Sequence, residues 1–230
     1  MIQIEKTEVY GWEAAIRGMR NPMNSWEKSD SAFDYKKPWC YGGFEIPVCI
    51  GDNDLDLMKR LAAGGSVHAK YRRMINVTVD ITAPLYWWKE FDTYKVGTVA
   101  NSCSTMHKIH AKEFTLDDFS HEHLCVRQAM DVLKDTIGAL NAFRLVYLHG
   151  GILHHKNGNM RCYGCKEKDV WNHMVQLLPS SYNQKRTIQM NYEVLVGMYR
   201  DRKNHKLDEW RVLCEWIEAL PYSELITGNE

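Results

Sequence analysis

Apolar residues recur at helical spacing over residues 8–19, where Val9, Trp12, Ala15, Ile16 and Met19 share one face and the run stops before Pro22. Residues 24–43 break that pattern. They are polar, aromatic and punctuated by glycine and proline, and read as a long loop of the functional or mobile kind. A second helix is predicted over 52–63. Acidic residues crowd its start, Lys59 and Arg60 follow as the helix dipole favours, and Gly64 and Gly65 stop it. The period then changes from helical to two: Ile75, Val77, Val79 and Ile81 alternate with Asn76, Thr78 and Asp80, predicting a strand over 71–83 with one buried face.

Pro84 opens a helical stretch over 85–91, a long helix is predicted over 120–148, and a short one over 171–178 ends at Pro179. Residues 150–167 form an insert-like loop rich in glycine, histidine and cysteine. Two amphipathic helices, 187–202 and 206–220, close the chain. The fold class expected is α/β in the α+β sense: one domain over 1–230, with a small central sheet flanked by helices and a helix-rich C-terminal half.

Composition narrows the picture. The chain has 230 residues, 45% hydrophobic and 25% charged, enough to bury a core without staples. Lys+Arg and Asp+Glu both number 29, so no net field gathers nucleic acid or anionic membrane, and neither is expected as a partner. The N-terminal residues lack the basic and apolar regions of a secretory signal, and no apolar run approaches the ~18 residues of a membrane span. The expected setting is cytoplasmic, with the seven cysteines reduced. Eight Trp and twelve Tyr suit a Trp-rich core as well as a flat-ligand site.

Several constellations have two readings. Cys162 and Cys165, with His154 and His155 upstream, are the residue types of a zinc site, but no second pair at standard spacing accompanies them; a surface hairpin with free thiols is preferred. Ser102, Cys103 and Ser104 precede His107 and His110, as a nucleophile precedes a base, yet no third orienting residue is evident. Packing of Cys103 beside a ligand pocket is the simpler role. Tyr86, Trp87, Trp88 and Phe91 at helical spacing read as core or subunit interface. Asp208 and Glu209 beside Lys206 and Arg211 read as a solvated helix face.

An ordered set of segments carries a further signal. A strand leads to Ala83-Pro84, then to Thr93-Tyr94-Lys95-Val96-Gly97-Thr98, and then to Asn101-Ser102-Cys103-Ser104-Thr105-Met106-His107. This resembles the flavin-dependent thymidylate synthases, whose strand and helix entry are followed by R-H-R-x-x-S and N-E-x-S-x-R-Y. Gly97-Thr98 stands at the family's G-S, and Asn101 and Ser104 keep the N-x-x-S spacing. The stretch from Asp54 to Gly65 resembles the helix and glycine before the family's G-H-x-S-P-x-E-H. Gln176 to Asn183 resembles R-x-x-L-P-x-x-x-Y-T, and residues 191–210 resemble the closing N-L-R-S-L and A-Q-x-E-I-R blocks. The likeness spans roughly residues 8–220.

The resemblance implies the thymidylate synthase-complementing fold, FAD as cofactor and dUMP as the pyrimidine monophosphate substrate. It also implies methylene-tetrahydrofolate and NADPH as co-substrates, and a homotetramer. Carried over position by position, it places Ser104 and Lys95 in catalysis; Tyr94, Lys95, Thr98, Asn101 and Arg72 at the cofactor; and Ser102, Cys103, Ser104, Arg186 and Lys206 at the substrate. The signature is altered. Thr93-Tyr94-Lys95 replaces R-H-R and leaves one cation, Ser102 stands for the glutamate, and Met106 stands for the arginine. Lysine is a point charge where arginine is a planar fork. Lys70, Arg72, Arg73, Lys108, Lys185 and Arg186 are cations at other positions that compensate in this reading. A relative acting on another pyrimidine nucleotide, and an interaction protein on the same fold, stand as alternatives.

Overall fold

The computed structural model describes residues 2–150, 154–155, 158–159 and 167–228. The elements run β1 (Gln3–Tyr10), α1 (Trp12–Arg20), β2 (Ala32–Phe33), β3 (Trp39–Tyr41), β4 (Phe44–Ile46), β5 (Val48–Cys49), α2 (Asp52–Ala63), β6 (Asn76–Pro84), α3 (Leu85–Phe91), β7 (Val99–Ser102), α4 (Arg127–His149), β8 (His154–His155), β9 (Gly158–Asn159), α5 (Glu167–Leu177), β10 (Asn183–Asn191), α6 (Tyr192–Arg202), α7 (Asp208–Ala219) and α8 (Glu224–Thr227). The main sheet has four strands in the order β1-β6-β10-β7. Helices and a small sheet together make the mixed architecture that the sequence predicts. No described helix is long and apolar enough to cross a membrane.

The chain divides into two compact units, one from residues 82–90 and 102–185, the other from 2–81, 91–101 and 186–230. The larger has the main aromatic core. Val77, Val79 and Ile81 of β6 are fully buried, as their alternation predicts, and Ile188 and Met190 of β10 join them. Trp12 of α1 meets the Tyr192 ring edge-on, with centroids 5.5 Å apart. Tyr192 is fixed by its hydroxyl, which donates to the Pro221 carbonyl at 2.5 Å.

In the smaller unit α4 packs on α5 around Phe114, Phe119, Leu133, Leu140 and Met174. Asn141 of α4 clamps the incoming segment: its side chain accepts from the Phe114 amide and donates to the Phe114 carbonyl, both at 2.8 Å. Trp87 and Trp88 are buried in a T-shaped pair, and the Trp88 indole donates to the Gln184 carbonyl at 2.9 Å. These rings, with Phe91, are core residues.

Several boundaries differ from the pattern reading; the helix expected over 171–178, for one, starts at Glu167. Residues 8–10 finish a strand, because Gly11 makes the strand-to-helix turn at φ +93°, where a Cβ would lie 2.1 Å from the Met74 carbonyl oxygen. The strand assigned to 71–83 starts at Asn76; residues 70–73 form a 3₁₀ turn that buries Tyr71 and Arg72. Residues 183–191 are strand and only Tyr192 onward is helix, since Asn191 caps α6 by accepting from the Val194 amide at 3.1 Å. The long helix starts at Arg127. Ser120 is held in extended backbone by Ser181, and its hydroxyl donates to Asn183 at 2.8 Å.

The stretch read as a long loop carries the short strands β2 and β3, paired with β5 and β4, and is anchored to α2 as well. Asp54 is fully buried in α2 and accepts from Arg20 Nε at 2.6 Å, from the Ser29 and Ser31 hydroxyls, and from the Asp30 and Ser31 amides. Asp30 returns the favour, capping α2 by accepting from the Asn53 and Asp54 amides. Within the insert-like loop, β8 and β9 pair as a short antiparallel hairpin. Cys162 and Cys165 of the zinc reading lie outside the described residues, as do the side chains of His154 and His155.

Candidate functional site

The segment following α3 is shaped by what it packs on. Phe91 stacks on Trp210 of α7 at 6.4 Å, and the Tyr94 ring meets the same indole edge-on at 5.9 Å. Arg202 Nε donates to the Tyr94 hydroxyl at 2.9 Å while its guanidinium lies 4.6 Å from the centre of the Trp210 ring. The backbone then turns at Gly97, φ +76°, close enough that a Cβ would sit 3.1 Å from Val194 and 3.3 Å from the Asn191 side chain. The turn therefore lies directly on the capped first turn of α6.

This arrangement leaves an open groove of about 630 Å³ whose lining includes Arg73, Tyr94, Lys95, Asn191, Glu193 and Arg200. A smaller hollow of about 140 Å³ lies by Lys95, Thr98 and Asp92. The cations of the groove differ in how far they are committed. Arg200 is tied to Asp201 at 2.9 Å. Among the described residues Lys95 and Arg73 have no ion-pair partner. Glu193 faces the buried Arg72 at 3.8 Å, too long for a hydrogen bond, and the Arg72 Nε and one Glu193 oxygen have no hydrogen-bond partner among the described residues. Thr98 Oγ1 is buried and equally without one. Next to this pair, burial pushes the Tyr71 hydroxyl up to about 12, against the smaller opposing effect of Arg72, so it stays protonated and donates to the Met58 carbonyl at 2.9 Å.

The residues singled out from sequence fall into three groups. Tyr94 and Lys95 line the groove, Thr98 lines the hollow beside Lys95, and Arg72 reaches the groove through Glu193. Arg186 is engaged by Asp92 at 2.7 Å, on the wall of the same hollow. Asn101 lies exposed on β7, and Lys206 is exposed before α7, away from the groove lining. Ser102, Cys103 and Ser104 are exposed residues of the other unit. Ser104 Oγ accepts from the Met106 amide at 3.2 Å and the His107 amide at 2.9 Å, so its own proton stays available to donate. Cys103 is solvent-exposed rather than packed, and the described cysteines are all free thiols.

Asn191, Glu193 and Arg200 are groove residues that the sequence reading absorbed into a helix face. The alternation of buried Gln184, Ile188 and Met190 with exposed Thr187 and Gln189 was the available signal for a strand ending at a helix cap. Glu209, read as solvated, is buried, while Asp208 pairs with Arg211 at the surface.

No family model matches the chain, and no curated protein matches it. Solved structures do. A crystal structure of the flavin-dependent thymidylate synthase ThyX from Helicobacter pylori, complexed with FAD and dUMP, matches with a TM-score of 0.62 at 15% identity over 98% of both chains. A second ThyX structure from that organism, also with FAD and dUMP, gives the same TM-score and identity over 99% of this chain and 98% of its own. The fold of this chain is thus ThyX-like, reached with little sequence in common.

Proposed function

We propose that the chain is a flavin-dependent thymidylate synthase-like enzyme that binds FAD and dUMP and reductively methylates dUMP to dTMP. Methylene-tetrahydrofolate is the carbon donor, NADPH the reductant, and the working assembly a homotetramer. The observation that carries the reading is the meeting of the altered signature loop with α6 in a groove that holds uncommitted cations, in a chain whose fold is ThyX-like over nearly its whole length.

The residues present fit the anionic part of such ligands. Lys95 and Arg73 supply positive charge, and the Thr98 hydroxyl is a buried polar group with a hydrogen bond still to make. The Tyr94 face and the apolar edges of Val96 and Val194 offer a flat contact for a ring. When bound, a reduced flavin supplies the hydride. In this reading Lys95 and Ser104 act on the substrate: the ammonium neutralises negative charge and the hydroxyl donates to an acceptor oxygen. The resemblance assigns Tyr94, Lys95, Thr98, Asn101 and Arg72 to cofactor binding and Ser102, Cys103, Ser104, Arg186 and Lys206 to substrate binding.

A second reading has one observation in its favour. Met106, half-exposed at 49%, and Ser102 stand where the signature carries arginine and glutamate. A chain so changed binds a pyrimidine monophosphate without methylating it. One experiment separates the two: the absorption spectrum of the purified protein before and after FAD loading and desalting, followed by dUMP titration. A retained flavin band perturbed by dUMP is expected. dUMP binding without flavin selects the second reading, and uptake of neither ligand overturns both.

A further inference from the structure

The smaller unit contains a pocket that the proposed function does not use. It measures about 380 Å³, a size typical of small-molecule sites, and is lined by His107, His110, Tyr147, Lys168 and Trp171. We infer that this pocket binds a planar organic anion, an aromatic or heterocyclic ring with a phosphate or carboxylate group. The inference does not rest on the thymidylate synthase reading.

The walls are fixed by bonds made outside the pocket. The Trp171 indole donates to the Met106 carbonyl at 3.0 Å, which sets its ring plane. The His110 carbonyl accepts from Arg144 Nε at 2.9 Å, and the His110 ring packs against the Tyr147 ring with centroids 4.7 Å apart. Two flat side chains, one on α4 and one on α5, are therefore held in place on a small cavity, as recognition of a ring requires. Such a site needs little reorganisation on binding.

Its polar groups select charge. Lys168 has no ion-pair partner among the described residues, and no carboxylate is among the described lining residues. His110 Nδ1 is buried without a hydrogen-bond partner among the described residues. An ammonium and two imidazoles together offer donors to an anion and nothing to neutralise a cation.

Isothermal titration with 4-nitrophenyl phosphate, 4-nitrobenzoate and inorganic phosphate tests the assignment and separates the two anion types. At least one aryl anion is expected to bind, and inorganic phosphate at least tenfold more weakly. Lys168→Ala, a change at an exposed position, and His110→Phe, which keeps the ring contact with Tyr147, are each expected to weaken the aryl anion about tenfold. Circular dichroism verifies folding, and Lys168→Ala decides if His110→Phe does not fold. The inference is overturned if neither aryl anion binds, if phosphate alone binds as well, or if the variants bind like the parent. Loss of binding in Lys95→Ala also overturns it, by moving the ligand to the groove of the other unit.

Discussion

Replacing Asp54 by alanine removes a fully buried carboxylate that accepts five hydrogen bonds, the one from Arg20 being an ion pair, all within the larger unit. The lost bonds cannot be summed at face value, because charged hydrogen bonds that share one acceptor are not independent. The controlling effect is what remains: Arg20, 4% exposed, keeps its charge with no carboxylate beside it. Breaking a buried pair in this way costs about 3–5 kcal/mol. With a urea m-value near 3 kcal/mol/M, the midpoint should fall by roughly 1–1.7 M. Arg20→Met combined with Asp54→Leu should recover part of the loss, since it removes the stranded charge. pH gives an independent readout. Burial by itself would raise the Asp54 pKa, but the Ser31 and Ser29 hydroxyls and the Arg20 guanidinium outweigh it and hold the carboxyl below its ordinary value. Its folded pKa is then lower than its unfolded one. The stabilisation is complete above the unfolded value of about 3.9 and is lost as pH falls through the folded value. Urea titrations followed by far-UV circular dichroism at neutral and acid pH measure both effects. A cost below about 1 kcal/mol for Asp54→Ala, or an acid-side loss undiminished in that variant, would refute the reasoning.

Gly97→Ala forces a side chain onto a φ of +76° and against Val194 and Asn191, so stability should fall by about 1–3 kcal/mol in thermal melts, with weaker binding in the groove. Tyr71, pushed up to about 12 by burial, stabilises the fold below its unfolded value of about 10 and stops doing so as pH rises toward 12; Tyr71→Phe should flatten that alkaline loss in urea titrations. Burial also pushes the Cys214 thiol up to about 11, so a thiol reagent at neutral pH should label the exposed Cys40, Cys49, Cys103 and Cys125 rapidly. Cys214→Ala should leave that fast phase unchanged.

The sequence by itself determined those elements whose burial repeats with a local period. The β6 alternation, the acidic start of α2 and the Pro84 entry into α3 each follow from neighbours a few residues apart, and each is present. Tertiary structure decided the rest. Glu8 to Tyr10 are strand because the sheet supplies a pairing partner that no local pattern reveals, residues 183–191 are strand although a helical period competes with their alternation, and β7 joins the same sheet although its residues are exposed. The groove depends on contacts such as Tyr94 with Arg202, 108 residues apart, and residues 29–31 are tied down by Asp54 of α2. The signature loop was legible as a position along the chain. Whether its lysine stood free, which arginine was already paired, and which turn of α6 lay beneath Gly97 depended on how distant segments pack. Hydrogen bonding and steric fit act through space, and one chain's order of residues records that geometry only where it repeats locally.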